Sequence, residues 1–307
     1  VALVQLEPIA ASPEFLCRRL LDLAEEVISP AAEDLPPYAR VLGSLAARKP
    51  RAALLLDEVT ELRTLSYFPG VERPLESFLQ AASAAKAPAI VATSRFPTWT
   101  EALVSRLPRT LQERISLRAL PPLTAEELER AGVRPAESLL AVTGGWPLHL
   151  PRLVEHMERG VELRDALEAE MTVGGLMEVE CRAGFAHLLQ QARGYGACKA
   201  ALQVLAEEER LTLSEIARRM GRTPGSVRDY LWWLEEVELV SVREKRFFFV
   251  DPVLRLWLRL YGRGRPPSPA ELREEVERHL AERAPGHTVE AGPQRAFLSD
   301  DELIEID

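Results

Sequence analysis

Two short runs, Ala52–Leu56 and Ala89–Thr93, constrain this chain most. Each is continuously apolar and then stops at polar residues, the first at Asp57-Glu58, the second at Ser94-Arg95. A helical stretch at about 73–86 separates them. VALVQL at residues 1–6 reads as a third such strand and Ile115–Leu117 as a shorter one. Ser12-Pro13 opens a helix after the first strand, because serine accepts from free N–H groups and proline suits the first helical position. That helix carries Phe15, Leu16, Leu20 and Leu23 at helical spacing. A second helix is expected over about 38–48. Apolar runs alternating with helices predict an α/β core at 1–118, with a parallel sheet buried on both faces.

The strands then stop. Thr124 and Glu127 form a capping box, and Thr143-Gly-Gly-Trp-Pro147 breaks and restarts the helical pattern. Residues 119–172 read as a helical subdomain. A helix at about 176–193 leads into a third part, 173–262. Residues 263–307 open on Arg265-Pro-Pro-Ser-Pro269, continue as a polar helix at about 270–283 and end in SDDELIEID, a mobile or partner-binding tail.

Composition bounds the function. With 47% hydrophobic and 28% charged residues the chain is globular, and a net charge of -9 excludes coating nucleic acid by bulk charge. The longest apolar candidate, FFFVDPVLRLWLRLY, is interrupted by Asp251, Arg255 and Arg259. It falls short of the ~18–20 residues of a membrane span. Cys17, Cys181 and Cys198 are odd in number and scattered, which fits a reducing cytoplasm and no disulfide framework. The first residue is Val1 and the first methionine Met157, which suits an alternative start codon, a processed product or a fragment.

Several motifs carry candidate chemistry. Acids at the end of a buried strand lie where ligands bind in open α/β folds. Asp57 is a candidate for holding Mg²⁺ through water, and Glu58 for orienting or deprotonating an attacking water. Alternatively, both acids simply start a loop and cap the next helix. Thr93, Ser94 and Arg95 end the next strand, and the arginine could meet a phosphate with two parallel bonds or be a surface residue. Gly144 and Gly145 either let the backbone approach a ligand or merely break a helix. The order of an acidic strand end, a helix and a Thr-Ser-Arg strand end is more specific than either motif alone.

Residues 213–234 have helix–Gly turn–helix spacing, with Ile216, Ala217, Val227, Leu231 and Leu234 as core. Two β segments follow, Leu239–Val242 and Arg246–Val250, turning at Glu244-Lys245. That is a winged helix-turn-helix pattern. Arg222, Thr223, Ser226 and Arg228 are candidates to face a DNA groove, with Lys245 and Arg246 on the wing. From Arg210 to Arg246 eight basic residues oppose six acidic ones, a slight surplus for phosphate binding. A protein-contact module remains the alternative. The five histidines have no metal spacing, and there is neither a G-x-S-x-G elbow nor a dinucleotide fingerprint around Gly262-Arg-Gly264.

Together these residues resemble the STAND branch of AAA+-like P-loop ATPases, of the archaeal/bacterial type with a C-terminal winged helix. LLLDEVTEL resembles the Walker B segment and IVATSR the sensor-1 strand, whose arginine reads the γ-phosphate in that family. GGWP, with Gly145 and Pro147, resembles the lid motif whose proline packs on adenine. Asp251-Pro-Val-Leu-Arg-Leu-Trp257 resembles the element that follows the wing. The resemblance runs from Val1 to about Tyr261 and implies ATP and Mg²⁺ as cofactors.

One part of the family pattern is missing. A P-loop reads G-x-x-x-x-G-K-[ST], because backbone N–H groups and the lysine hold the phosphates. The chain has four lysines, Lys49, Lys86, Lys199 and Lys245, and none follows a glycine. In the family that strand lies inside the sheet, so its loss would expose neighbouring apolar strands. Two readings follow. Either the chain is an N-terminally incomplete ATPase whose P-loop lies upstream of Val1, or it is a degenerate scaffold. The intact Asp57-Glu58, Arg95 and Gly-Trp-Pro set favours the first. The expectation is a cytoplasmic ATP-dependent regulatory switch with a P-loop-type core, helical lid and winged helix. It would not hydrolyse ATP without a P-loop. The alternatives are a winged-helix regulator binding duplex DNA, or a scaffold binding protein through lid or tail.

Overall fold

The computed structural model describes residues 2–6, 10–24, 39–41, 54–84, 90–192 and 194–284. The acidic end SDDELIEID lies outside them, as does most of the helix expected over 38–48. Among the described residues the chain divides into two compact units, one up to residue 118 and one from residue 119.

In the first unit the apolar runs form strands: β1 (Ala2–Gln5), β2 (Leu54–Asp57) and β3 (Ile90–Ala92). They pair in parallel in the order β1-β2-β3, with Gln5 opposite Asp57 and Leu56 opposite Ala92. Helix α1 (Pro13–Ala24) starts where Ser12 accepts the Phe15 N–H at 3.1 Å. A 3₁₀ stretch (Val59–Tyr67) and helix α2 (Pro74–Ala84) connect β2 towards β3. Val4, Leu6, Leu16, Leu56, Leu62, Leu65 and Phe78 are buried together as the core of this unit.

Burial of the sheet departs from expectation. Val4 and Leu56 are buried, but Leu3 and Val91 keep 59% and 51% of their surface exposed. β3 has one neighbour in the ladder and is an edge strand among the described residues. Ile115–Leu117, expected as a strand, has no regular structure; it follows helices α3 (Pro97–Ser105) and α4 (Arg109–Gln112). A three-residue apolar run becomes a strand only where another strand supplies ladder partners.

The second unit is mainly helical. Helix α5 (Ala125–Arg130) begins at the Thr124–Glu127 capping box. It is followed by α6 (Ala136–Thr143), α7 (Leu150–Glu158), α8 (Leu163–Met171) and α9 (Leu176–Gln191). Then come α10 (Tyr195–Glu207), β4 (Leu211–Thr212), α11 (Leu213–Met220), α12 (Pro224–Glu236), β5 (Val240–Arg243) and β6 (Arg246–Phe249). β4, β6 and β5 form an antiparallel sheet in that order. Glu244 and Lys245 turn the β5–β6 hairpin with left-handed backbone, φ 47° and 64°. Ile216, Ala217, Val227, Leu231 and Leu234 are all buried, and α10, α11 and α12 pack on one another.

Helix α13 (Pro252–Tyr261) is buried from Pro252 to Leu260, its two arginines included. Helix α14 (Pro269–Glu282) packs on it and also reaches α6 and α8, so the helices at 119–171 and those after 195 share one unit. Among the described residues no helix is long and apolar enough to cross a membrane.

Candidate functional site

The site is built where β2 and β3 end side by side. The Thr93 N–H bonds the Leu56 carbonyl at 2.8 Å, and the Val59 N–H bonds the Thr93 carbonyl at 2.9 Å. These bonds carry the ladder past the strand ends and bring residues 57–60 against 93–95. The Thr93 hydroxyl donates to Asp57 Oδ1 at 2.6 Å and accepts from the Glu58 N–H at 3.3 Å. One hydroxyl thereby fixes the carboxylate of the first acid and the backbone of the second.

Glu58 has φ 59° and ψ 55°, a left-handed conformation that a side chain with a Cβ adopts at a cost on the order of 1–3 kcal/mol. The backbone bonds on either side hold it there, so its carboxylate leaves the strand direction and meets Arg95. Arg95 Nε donates to Glu58 Oε1 at 2.9 Å, and the Arg95 N–H reaches Oε2 at 3.4 Å. Next to them the Thr60 and Ser94 hydroxyls lie 3.3 Å apart, and Ser94 Oγ accepts the Phe96 N–H at 3.0 Å. Phe96 is fully buried, with its ring centroid 4.6 Å from that of Trp99. That anchor fixes the backbone that presents Arg95.

Asp57, Glu58, Thr93, Ser94 and Arg95, the residues singled out in the sequence, therefore form one cluster at the C-terminal edge of the parallel sheet. The sequence did not reveal that Thr93 joins both acids. Its only signal was a hydroxyl residue in register with an acid one strand away.

Gly145 and Pro147 belong to the second unit. Gly144 caps α6 with φ 67°, and its N–H bonds the Leu140 carbonyl at 2.7 Å. The Gly145 carbonyl accepts the Leu123 N–H at 2.9 Å, and Pro147 and Leu148 are exposed. The turn is tied to the start of α13 at three points. A Cβ on Gly144 would stand 2.9 Å from Pro252 Cδ. Trp146 Nε1 donates to the Val250 carbonyl at 3.1 Å, and His149 Nε2 lies 2.8 Å from Asp251 Oδ2. Asp251 Oδ1 meanwhile caps α13 through the Val253 and Leu254 N–H groups. His149 and Asp251 were missed as a pair, because nothing in the sequence joins residues 102 positions apart.

His149 is buried, which opposes its charge. The Asp251 carboxylate, with a further contribution from Glu180, outweighs burial and raises the imidazole above its ordinary value of 6.5. The charged pair thus contributes fully below 6.5 and its contribution is lost as pH rises through the raised value. Urea unfolding at pH 6 and pH 8.5 is expected to show lower stability at the higher pH. That difference should shrink in His149→Gln; an unchanged difference would remove the pair as its source.

Of the DNA-contact candidates, Arg222 and Arg228 are exposed at or near the start of α12, and Lys245 is exposed on the hairpin turn. Thr223 caps α12, accepting from the Ser226 N–H at 3.4 Å, and its hydroxyl lies 2.9 Å from Ser226 Oγ. Arg246 Nη1 donates to the Arg210 carbonyl at 2.6 Å. These three side chains have local structural work. Among the described residues no group of three His, Cys, Asp or Glu side chains could hold a metal ion.

A parallel sheet with an acidic strand end beside a Thr-Ser-Arg strand end gathers polar side chains at the edge where open α/β folds bind ligands. Among solved structures, the Walker-type ATPase of Pyrococcus abyssi matches this chain with a TM-score of 0.59 and 16% identity, over 84% of this chain and 83% of its own. At that identity the likeness shows the fold alone, a mixed α/β architecture. No protein-family model and no curated protein matches the chain.

Proposed function

We infer that this chain is the switch portion of a P-loop ATPase of the STAND/AAA+-like type, working with ATP and Mg²⁺. The observation that carries the reading is the Asp57–Thr93–Glu58–Arg95 cluster at the edge of the parallel sheet. Its donor set fits part of a nucleotide site. Asp57 keeps its second oxygen clear of the Thr93 bond and suits a water-bound Mg²⁺. Glu58 suits the attacking water and Arg95 the γ-phosphate. When bound, Mg²⁺ and the triphosphate supply the electrophilic phosphorus and its charge neutralisation. In the observed arrangement Arg95 and Glu58 neutralise each other, so both become available only when Arg95 exchanges the carboxylate for another anion.

The phosphate cradle is not provided by these 307 residues, which contain no G-x-x-x-x-G-K-[ST]. The exposed edge of β3, with Val91, is where a further parallel strand would add and bury apolar surface. In this reading Pro147 packs on the base, and closure of the helical lid at 119–172 is linked to the position of a winged-helix module at 173–262. The Gly144–Pro252, Trp146–Val250 and His149–Asp251 contacts support that linkage, since they tie the Pro147 turn to the end of the β5–β6 hairpin.

The 307-residue chain alone is expected to show no Mg-ATP hydrolysis above background. The same chain preceded by a strand–loop–helix unit carrying the Gly-Lys-Thr/Ser motif should gain turnover, and Glu58→Gln should abolish it. Hydrolysis by the chain alone that disappears in Glu58→Gln would overturn the assignment of a missing cradle. No gain on adding the unit would overturn the ATPase reading.

A further inference from the structure

The register of the parallel sheet sorts its residues onto two faces. Val4 and Leu56 are opposite each other and point one way; Leu3, Leu55 and Val91 form one row across the three strands and point the other way. Leu16 of α1 and Phe78 of α2 are buried with Val4 and Leu56, so both connecting helices lie on that first face. The second face is bare: Leu3 and Val91 are exposed and Leu55 is half-buried. Parallel sheets are ordinarily covered by helices on both faces.

Crossover geometry explains the bare face. A connection between parallel strands of one sheet is right-handed. From β1 to β2 and from β2 to β3 the chain steps in one direction, so both connections put their helices on the same face. A helix reaches the other face only where the chain steps back. A strand outside β1 that leads into β1 would step the same way as the others, and its helix would join α1 and α2. A strand outside β3 that leads into β1 steps back across β3 and β2, so its helix lies over Val91, Leu55 and Leu3.

We propose that the Leu3–Leu55–Val91 face is the seat of one amphipathic helix, from a strand–loop–helix unit that pairs with β3 and leads into β1. Three observations select this occupant. The apolar row spans the three strands that such a helix crosses on its way back to β1. The strand of the unit has a place, because β3 has one neighbour among the described residues. The row is bounded on its carboxyl side by Gln5, Asp57 and Thr93, so the face is apolar where the body of the helix packs and polar where the loop arrives. That loop lies beside β3, where the strand order reverses, which is where open α/β sheets bind ligands. One unit thus accounts for the bare face, the free edge and the position of the polar cluster. The proposal rests on the nucleotide reading for the strand beside β3, and not on hydrolysis.

Thiol reactivity tests it. Leu3→Cys and Val91→Cys are placed one at a time in the full chain with Cys17→Ala; Cys181 and Cys198 are buried. Both new thiols should react with a maleimide as fast as Gln80→Cys, at an exposed position of α2. The same chains are then preceded by a strand–loop–helix unit whose Gly-Lys-Thr/Ser lysine is replaced by alanine, with no nucleotide added. The rates at positions 3 and 91 should both fall about tenfold or more, because a thiol beneath a packed helix reacts only when that helix opens. Gln80→Cys should keep its rate. As a second readout, Leu3→Lys should leave the unfolding midpoint of the chain alone unchanged and lower that of the extended chain. The proposal is overturned if position 91 alone is protected, which is a strand without a helix on this face, or if neither position is. Protection that grows with concentration in the chain alone overturns it in favour of a second copy. ATP turnover by the extended chain with its lysine intact decides the nucleotide reading separately. Protection without turnover keeps the proposal and removes the ATPase; turnover without protection does the reverse.

Discussion

Gly145→Ala is expected to destabilise the second unit by about 3 kcal/mol, as read by denaturant unfolding. Two costs combine. Gly145 has φ +76°, a left-handed backbone that a Cβ makes unfavourable by about 1–2 kcal/mol. The added Cβ would also stand 2.4 Å from the Leu123 carbonyl oxygen. That oxygen is backbone and cannot swing aside, so the Leu123–Gly145 backbone pairing must open to make room, at a further ~1–3 kcal/mol. The control is Gly160→Ala. Gly160 has φ +84°, but nothing lies within 4 Å of its Cβ position, so it should lose only the first of the two costs. Equal losses at both sites would mean that backbone conformation alone matters and that the turn is not tightly packed. The turn also carries Pro147. If the nucleotide reading holds, Gly145→Ala should weaken nucleotide binding even where the protein remains folded.

The core and the strand-end cluster were legible for a common reason: their signals are local. A continuous apolar run identifies a strand even where, as in β3, it is not buried on both faces, so the residues after it are at the sheet edge, and Asp57, Glu58, Thr93, Ser94 and Arg95 could be named. Likewise Ile216, Ala217, Val227, Leu231 and Leu234 declare themselves by spacing, and all are buried. What could not be read depends on partners far along the chain. Ile115–Leu117 has strand composition but no strand beside it. His149 and Asp251 form a buried pair across two motifs that look unrelated in sequence. Arg255 and Arg259 look like interruptions of an apolar stretch, yet both are buried, because Glu282 and Glu275 reach them from α14, a helix whose composition reads as solvated, and Glu209 also reaches Arg255.

That last case yields the second large effect. Glu282→Gln is expected to cost about 3 kcal/mol, the lower end of the range for removing one partner of a buried ion pair. Glu282 Oε2 accepts from Arg255 Nη1 at 2.6 Å and from Arg259 Nη1 at 3.0 Å. Their side chains are only 4% and 1% exposed, so water cannot take over the lost role. The effect stays at the lower end because Glu209 remains 3.4 Å from Arg255 and Glu275 remains 2.9 Å from Arg259. The pH dependence gives a second readout. Burial alone would raise the Glu282 carboxyl; Arg255 and Arg259 outweigh it and pull it down from 4.5 to about 2. Its folded value is depressed, so its contribution is present above 4.5 and is lost as pH falls towards 2. The stability of Glu282→Gln should therefore fall less steeply across that window than that of the parent chain.

Glu271 separates the two possible causes of such an effect. It too is held below the ordinary carboxylate range, by Arg265 and by the Ser268 cap, but its arginine partner keeps 57% of its side chain exposed. Exposed pairs contribute little because water screens them and replaces a lost partner. Glu271→Gln should therefore cost a small fraction of what Glu282→Gln costs. If the two cost the same, the desolvated arginines of α13 are not what makes Glu282 matter.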